Sequence, residues 1–159
     1  MADDCAGEEI PLFLEPLSYS PDAPSRRLPP PERRRVVIET ARRLVPLGTD
    51  VLKAEFPVHP IDSPDESEWD DACRELTAVC PVPWVLLSAG VSHDVFLRQT
   101  AIACRAGARG VIAGRAIWSE AISPDPDARR RFLAGPARQR LEALRALCQT
   151  RPLPPGAHL

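Results

Sequence analysis

Of the 20 Lys and Arg residues in this 159-residue chain, only Lys53 is lysine. It lies within DVLKAEFP, Asp50 to Pro57, a run that reads as a short buried strand. Arginine supplies a fixed charge, whereas lysine can shed its proton and act as an amine nucleophile. Apolar neighbours Val51, Leu52, Ala54 and Phe56 favour the uncharged amine through desolvation. A Schiff-base lysine is the chemistry these residues allow; the plain alternative is a compositional bias toward arginine that spared one codon. Glu55 sits two residues from Lys53, so strand alternation turns it to the same side, where a carboxylate favours the charged amine. A hydrogen bond elsewhere and a proton-relay role are both open to it. His59 falls in a loop and His93 near a helix start, positions that suit solvent exposure or capping better than catalysis.

The elements that must position these groups follow from the apolar periodicity. Ile10 to Leu14 is an apolar run read as a buried strand with Glu15 at its C-terminal end. A Pro-rich loop leads to a helix over 31–47, closed by Gly48, where a left-handed residue is commonly needed. Val51 to Phe56 forms the second strand. Trp69, Ala72, Cys73, Leu76 and Val79 then mark one face of a helix. Pro83 to Gly90 is a third apolar run, followed by a helix from His93 to Arg105 that Gly107 closes. Gly110 to Arg115 is the fourth strand, and 125–149 is helical with a break expected at Gly135-Pro136. Strand and helix alternate four times, and the corresponding positions Glu15, Lys53, Ser88 and Gly114 are each separated by enough chain for one crossover helix. The pattern predicts an α/β fold with a parallel sheet covered on both sides, and ligand chemistry at the C-terminal ends of its strands.

Composition bounds the alternatives. A net charge of −2 and a pI near 5.9 give no electrostatic case for nucleic acid or a membrane surface. The runs Arg33 to Arg35 and Arg129 to Arg131 have acidic neighbours at helical spacing and read as solvated faces. Five cysteines, with no CxxC pair and no Cys/His ligand spacing, suit free thiols in a reducing cytoplasm. No apolar stretch approaches the length of a membrane span.

Four segments together resemble a known family. LFLEPLSY (Leu12 to Tyr19), DVLKAEFP (Asp50 to Pro57), WVLLSAGV (Trp84 to Val91) and GVIAGRAIW (Gly110 to Trp118) are similar, in order and spacing, to strands five to eight of the class I aldolases typified by tagatose-1,6-bisphosphate aldolase and sulfofructose-phosphate aldolase. The resemblance implies a (β/α)8 barrel of which residues 1–150 are the C-terminal half, with 151–159 a disordered Pro-rich tail. It further implies a lyase that cleaves a phosphorylated ketose to dihydroxyacetone phosphate and an aldehyde, through a lysine Schiff base and without metal or other cofactor. By the same resemblance Lys53 is the nucleophile, Glu15 assists proton transfer, and Ser88, Ala89, Gly90, Gly114 and Arg115 hold the substrate phosphate. The set is chemically coherent: an amine attacks a ketone, the iminium serves as electron sink, and a carboxylate moves protons as the carbon–carbon bond breaks. Small residues let backbone N–H groups approach a phosphate, and arginine adds a charge-assisted contact. The plain readings are a tight turn at Ser88 to Gly90 and a packing glycine beside a surface arginine at Gly114-Arg115.

A complete barrel of this type needs about 250 residues. The expected half would expose two sheet edges and the inner face of its strands. Three origins follow: a truncated or mis-started product, a half that pairs with a complementary half-barrel or a second copy, and a remnant without activity. The functional expectations are therefore a Schiff-base aldolase completed by a partner half, or an inactive α/β protein retaining at most phosphate-ligand binding.

Overall fold

The computed structural model describes residues 1–22, 25 and 27–149; the expected tail at 151–159 lies outside them. Four strands, β1 (Phe13–Leu14), β2 (Val51–Ala54), β3 (Trp84–Leu87) and β4 (Gly110–Ile112), form one parallel sheet in chain order. Helices α2 (Pro30–Leu44), α3 (Glu66–Val79) and α4 (His93–Ala106) make the crossovers. A short α1 (Ala2–Gly7) precedes β1, and α5 (Arg115–Trp118), α6 (Pro126–Phe132) and α7 (Arg138–Cys148) follow β4.

The expected helix boundaries rest on local chemistry that the structure bears out. Prolines at the first positions of α2 lack an N–H that would have no helical partner there. Asp65 caps α3 by accepting from Ser67 N at 2.8 Å, and Ser92 caps α4 by accepting from Val95 N at 3.4 Å. Gly48, after a 3-10 turn that ends α2, takes φ 101°, and Gly107 takes φ 130° beyond α4.

The described residues cover only one face of the sheet. Leu52, Ala54, Trp84 and Leu86 alternate along β2 and β3 toward the helices and are no more than 2% exposed. They join Ile38 and Ala41 of α2, Trp69, Cys73 and Leu76 of α3, Phe96, Ile102 and Ala103 of α4, and Leu144 of α7 in a single core. The helices lie side by side, α2 on α3, α3 on α4 and α4 on α7. The alternate residues, Val51, Lys53, Val85 and Leu87, are only partly buried, and Phe13 and Ile112 on the outer strands are half exposed. A sheet covered on both sides is thus corrected to one with an open second face. Strands of near-continuous apolar character suggest two-sided burial, whereas the resemblance to one half of a barrel already led to an exposed strand face.

Three further expectations change. The fourth strand, expected over Gly110 to Arg115, ends at Ile112, and Arg115 opens α5 after a cap at Gly114. The first strand is two residues long, and Ile10 and Phe13 are largely exposed, because Pro11 and Pro16 bracket the run and β1 is an edge strand paired on one side. At Gly135-Pro136 the helix does not break. A π-turn over Leu133–Ala137 widens the backbone so that Pro136 fits between α6 and α7 with helical geometry at both junctions. Helix α1 has no counterpart in the sequence reading, being too short and polar to give a periodic signal.

A small polar link joins three elements beneath the sheet. Trp84 Nε1 of β3 donates to Thr77 Oγ1 of α3 at 3.0 Å, and that hydroxyl donates to the Ala106 carbonyl of α4 at 2.8 Å. Gly107 lies against the same threonine, and a Cβ there would stand 2.6 Å from Thr77 Cγ2. Gly107→Ala combines a strained φ with this clash, so it is expected to lower unfolding free energy by about 1–3 kcal/mol in urea titration, with the transition remaining cooperative.

Candidate active site

Parallel pairing of Phe13 with Val51, Leu14 with Leu52 and Lys53 with Val85 aligns β1, β2 and β3. Continuing the first register by one residue sets Glu15 beside Lys53 on the open face. The contact is direct: Lys53 Nζ donates to Glu15 Oε2 at 2.7 Å, with the two side chains 19% and 40% exposed. Two residues separated by 38 positions thus form an amine–carboxylate pair because the register of β1 on β2 brings them together. The carboxylate is within reach to take a proton from the amine or return one.

Glu55 does not face this pair as a competing carboxylate. Its Oε2 accepts from Ser18 N at 2.7 Å, and its Oε1 is 3.4 Å from Arg33 Nη2. Arg33 also donates through Nε and Nη2 to the Phe56 carbonyl, at 3.2 Å each. Of the alternatives open to Glu55, the structure shows hydrogen bonding elsewhere: it ties the loop after β1 and the start of α2 to the end of β2. Arg33 is the exception among the arginines read as a solvated face, being 12% exposed. Arg34 and Arg35 pair with Glu75 and Glu32, and Arg130 and Arg131 with Asp127 and Asp125, as solvated faces do. Sequence reasoning missed Arg33 and Ser18 because neither spacing nor residue type marks them; only the meeting of α2 with the end of β2 does.

The small-residue segments also converge. After β3 the chain turns sharply: Ala89 takes φ 49° and Gly90 φ 76°, with Val91 N donating to the Ser88 carbonyl at 3.1 Å. Ser88 is buried at the base of this turn. Arg115, the first residue of α5, brings its guanidinium over Gly90, where a Cβ would lie 3.2 Å from Arg115 Cζ. No ion pair of Arg115 occurs among the described residues. Gly114 precedes it, with the Trp118 indole 3.6 Å from where its Cβ would be. Ser88 to Gly90 and Gly114-Arg115 are therefore neighbours at the C-terminal ends of β3 and β4. A surface cleft lined by α1 and by Pro46 to Asp50 is at the other end of the strands and away from this chemistry.

His59 Nδ1 accepts from Ile61 N at 3.3 Å, a loop role. His93 starts α4, and its Nδ1 is buried with no hydrogen-bond partner among the described residues. Burial, with nearby Arg27 for His59 and Arg140 for His93, holds both imidazoles below their ordinary value. Among the described residues no group of three or more His, Cys, Asp or Glu could hold a metal ion, and no helix is long and apolar enough to cross a membrane.

A parallel βα sheet of this form is a fold that known proteins share. An archaeal fructose 1,6-bisphosphate aldolase crystal structure superposes with TM-score 0.60 over 91% of this chain and 49% of that chain, at 22% identity. Residues 1–120 match the DeoC/LacD family of aldolases, and the chain belongs to that family. Tagatose 1,6-diphosphate aldolase of Staphylococcus haemolyticus is 34% identical over 139 residues, covering 77% of this chain and 42% of the relative. Tagatose 1,6-diphosphate aldolase 2 of Streptococcus mutans is 29% identical over 171 residues, covering 94% of this chain and 51% of the relative. The chain thus spans about half the length of the relatives it matches.

Stability should separate the two ion pairs. Arg33→Ala strands the buried Glu55 carboxylate and is expected to cost about 3 kcal/mol in urea titration, whereas Lys53→Ala, which removes a partly exposed pair, should change stability by less than about 1 kcal/mol. The depressed histidines predict a second signature. Below an unfolded value of about 6.5 the unfolded chain binds protons that the folded chain resists, so stability falls as pH drops through that window. Replacing both with glutamine should flatten the slope measured between about pH 7 and 5.

Proposed function

We propose that this chain is the C-terminal half, strands five to eight, of a (β/α)8 class I aldolase, working in the reducing cytoplasm on a phosphorylated ketose. The observation that carries the proposal is the 2.7 Å contact between Lys53 Nζ and Glu15 Oε2 on the open face of a parallel sheet. Membership of an aldolase family supports the reaction class.

In this reading the neutral Lys53 amine attacks the ketone carbon, and loss of water gives an iminium. Cleavage of the neighbouring carbon–carbon bond releases the aldehyde and leaves its electrons on the enamine. Protonation of the enamine carbon and hydrolysis then free dihydroxyacetone phosphate and restore Lys53. Glu15 takes the hydroxyl proton as the carbon–carbon bond breaks, returns a proton to the enamine carbon, and handles the protons of iminium formation and hydrolysis, which reaction with water alone would leave slow. No metal or other cofactor takes part in these steps.

The phosphate is held by Ser88, Ala89, Gly90, Gly114 and Arg115. The strained Ala89-Gly90 turn leaves room for close backbone approach, and the Arg115 guanidinium over Gly90 supplies charge. Ser88 lies three residues beyond the register partner of Lys53, roughly 10 Å along the strand. A lysine side chain and a three-carbon phosphate ester bridge that span.

Completion needs four more βα units of the same family. The half-exposed Phe13 and Ile112 and the free edges of β1 and β4 are what such a half would cover. Coverage of only about half of each relative supports a complementary half as the occupant. The same open face supports a second reading, an inactive remnant that binds phosphate ligands alone.

Borohydride reduction in the presence of dihydroxyacetone phosphate separates the two. The chain together with the N-terminal half of a tagatose 1,6-diphosphate aldolase should gain a covalent three-carbon phosphate adduct at Lys53, with Lys53→Arg giving none. Glu15→Gln should slow trapping by about 10²–10⁴-fold. Failure of trapping both alone and with the complementary half would sink the aldolase reading, and ligand binding indifferent to Lys53→Arg would favour the remnant. Trapping by the chain alone in a dimeric fraction would identify a second copy as the occupant.

A further inference from the structure

Cys104 and Cys148 lie 44 positions apart, yet their sulfurs are 3.8 Å from each other, with the Cys104 thiol donating toward Cys148. Cys104 is buried on α4, and Cys148 is the half-buried last residue of α7. The two helices pack directly, so the approach is set by the core rather than by a loop. A disulfide requires about 2.05 Å between sulfurs. The remaining gap is under about 2 Å, within reach of side-chain rotation and small helix adjustments.

We propose that Cys104 and Cys148 form a reversible thiol–disulfide pair that reacts with low-molecular-weight disulfides and, when oxidised, ties α7 to α4. Cys148 is the attacking sulfur and Cys104 the resolving one. Exposure argues for this order, since an outside disulfide can reach the end of α7 but not the buried face of α4. Hydrogen bonding agrees with it: the Cys104 thiol stabilises a thiolate at Cys148 and holds that thiol below the ordinary value, while the same bond and burial push Cys104 up.

The chemistry closes without a metal. The Cys148 thiolate attacks one sulfur of R–S–S–R, forming a mixed disulfide and releasing one thiolate, RS⁻. Cys104 then gives its proton to solvent and attacks the Cys148 sulfur, forming the protein disulfide and releasing the second RS⁻. Both leaving thiolates take up protons. Two protein thiols are oxidised by two electrons, and the small disulfide is reduced to two thiols. In a reducing compartment such a pair stays open and closes only when the thiol pool is oxidised.

The other cysteines lack this arrangement. Burial and the Asp70 carboxylate push the Cys73 thiol up to about 12. Cys80 donates to the Val82 carbonyl at 3.3 Å and is also raised, by burial. Cys5 lies on α1 and makes no sulfur–sulfur contact among the described residues. The pair does not depend on aldolase activity, because both sulfurs lie between helices on the covered side of the sheet.

The test uses the full reduced chain, exposed to oxidised glutathione, then alkylated and mapped by mass spectrometry without reduction. The expected product has lost two hydrogens, carries one cross-linked peptide pair joining Cys104 to Cys148, and has Cys5, Cys73 and Cys80 still alkylated. Added reduced glutathione should reverse it, and the cross-linked form should melt several degrees higher than the reduced form. Cys104→Ser should leave Cys148 as a stable mixed disulfide with one glutathione, whereas Cys148→Ser should leave Cys104 unreacted. Persistent glutathionylation of Cys148 in the unaltered chain, cross-links to Cys5 or Cys80, or no reaction would each overturn the proposal.

Discussion

Everything at the site depends on strand alternation. Successive side chains of β2 and β3 point to opposite faces. One set, Leu52, Ala54, Trp84 and Leu86, is sealed beneath α2, α3 and α4 and supplies the apolar burial that holds the sheet together. The other set, with Lys53 among it, is kept out of that core. A one-residue slip in β2 would send Lys53 beneath the helices and Leu52 to the open face. The packing that makes the fold stable is thereby also what presents the amine.

Two ion pairs near β2 differ in how far they are enclosed. Lys53 and Glu15 are partly open to solvent, so their pairing adds little stability and leaves both groups accessible to a ligand. Arg33 and Glu55 are largely enclosed, and Ser18 N completes the carboxylate's contacts. That second cluster fixes the loop leaving β1 against the end of β2. Because Glu15 lies at the start of the same loop, the buried pair helps hold the exposed one in position. Beyond β3, the left-handed turn at Ala89-Gly90 and the guanidinium of Arg115 bring the last two strand ends together in the same manner.

Much of this was legible in the residues. Helical periodicity around Trp69, Cys73 and Leu76, and glycines after α2 and α4, gave the crossovers. Lys53 stood out because no other lysine shares the chain. The spacing set Glu15 and Lys53 at corresponding strand ends, but their direct contact comes from the β1–β2 register, which spacing alone does not fix. Strand composition alone pointed to two covered faces, because apolar alternate residues look the same whether a second layer covers them or not; the exposed strand face came only from the resemblance to half of a barrel. The shortness of β1 was hidden by an apolar run whose flanking prolines mattered more than its hydrophobicity. Arg33 resembled its neighbours in the arginine run, and only tertiary packing distinguishes it. Continuity through Pro136 was likewise hidden, since a π-turn leaves no local sequence mark that separates it from a helix break.

The single lysine also makes the central claim unusually direct to test. Incorporation of lysine labelled with ¹⁵N at its side-chain nitrogen gives one resonance, that of Lys53. With the complementary barrel half present, addition of dihydroxyacetone phosphate should move that resonance from the amine range to the iminium range and return it when the ligand is removed. A resonance that stays in the amine range while the mixture cleaves a phosphorylated ketose would contradict the assignment of Lys53 as the nucleophile.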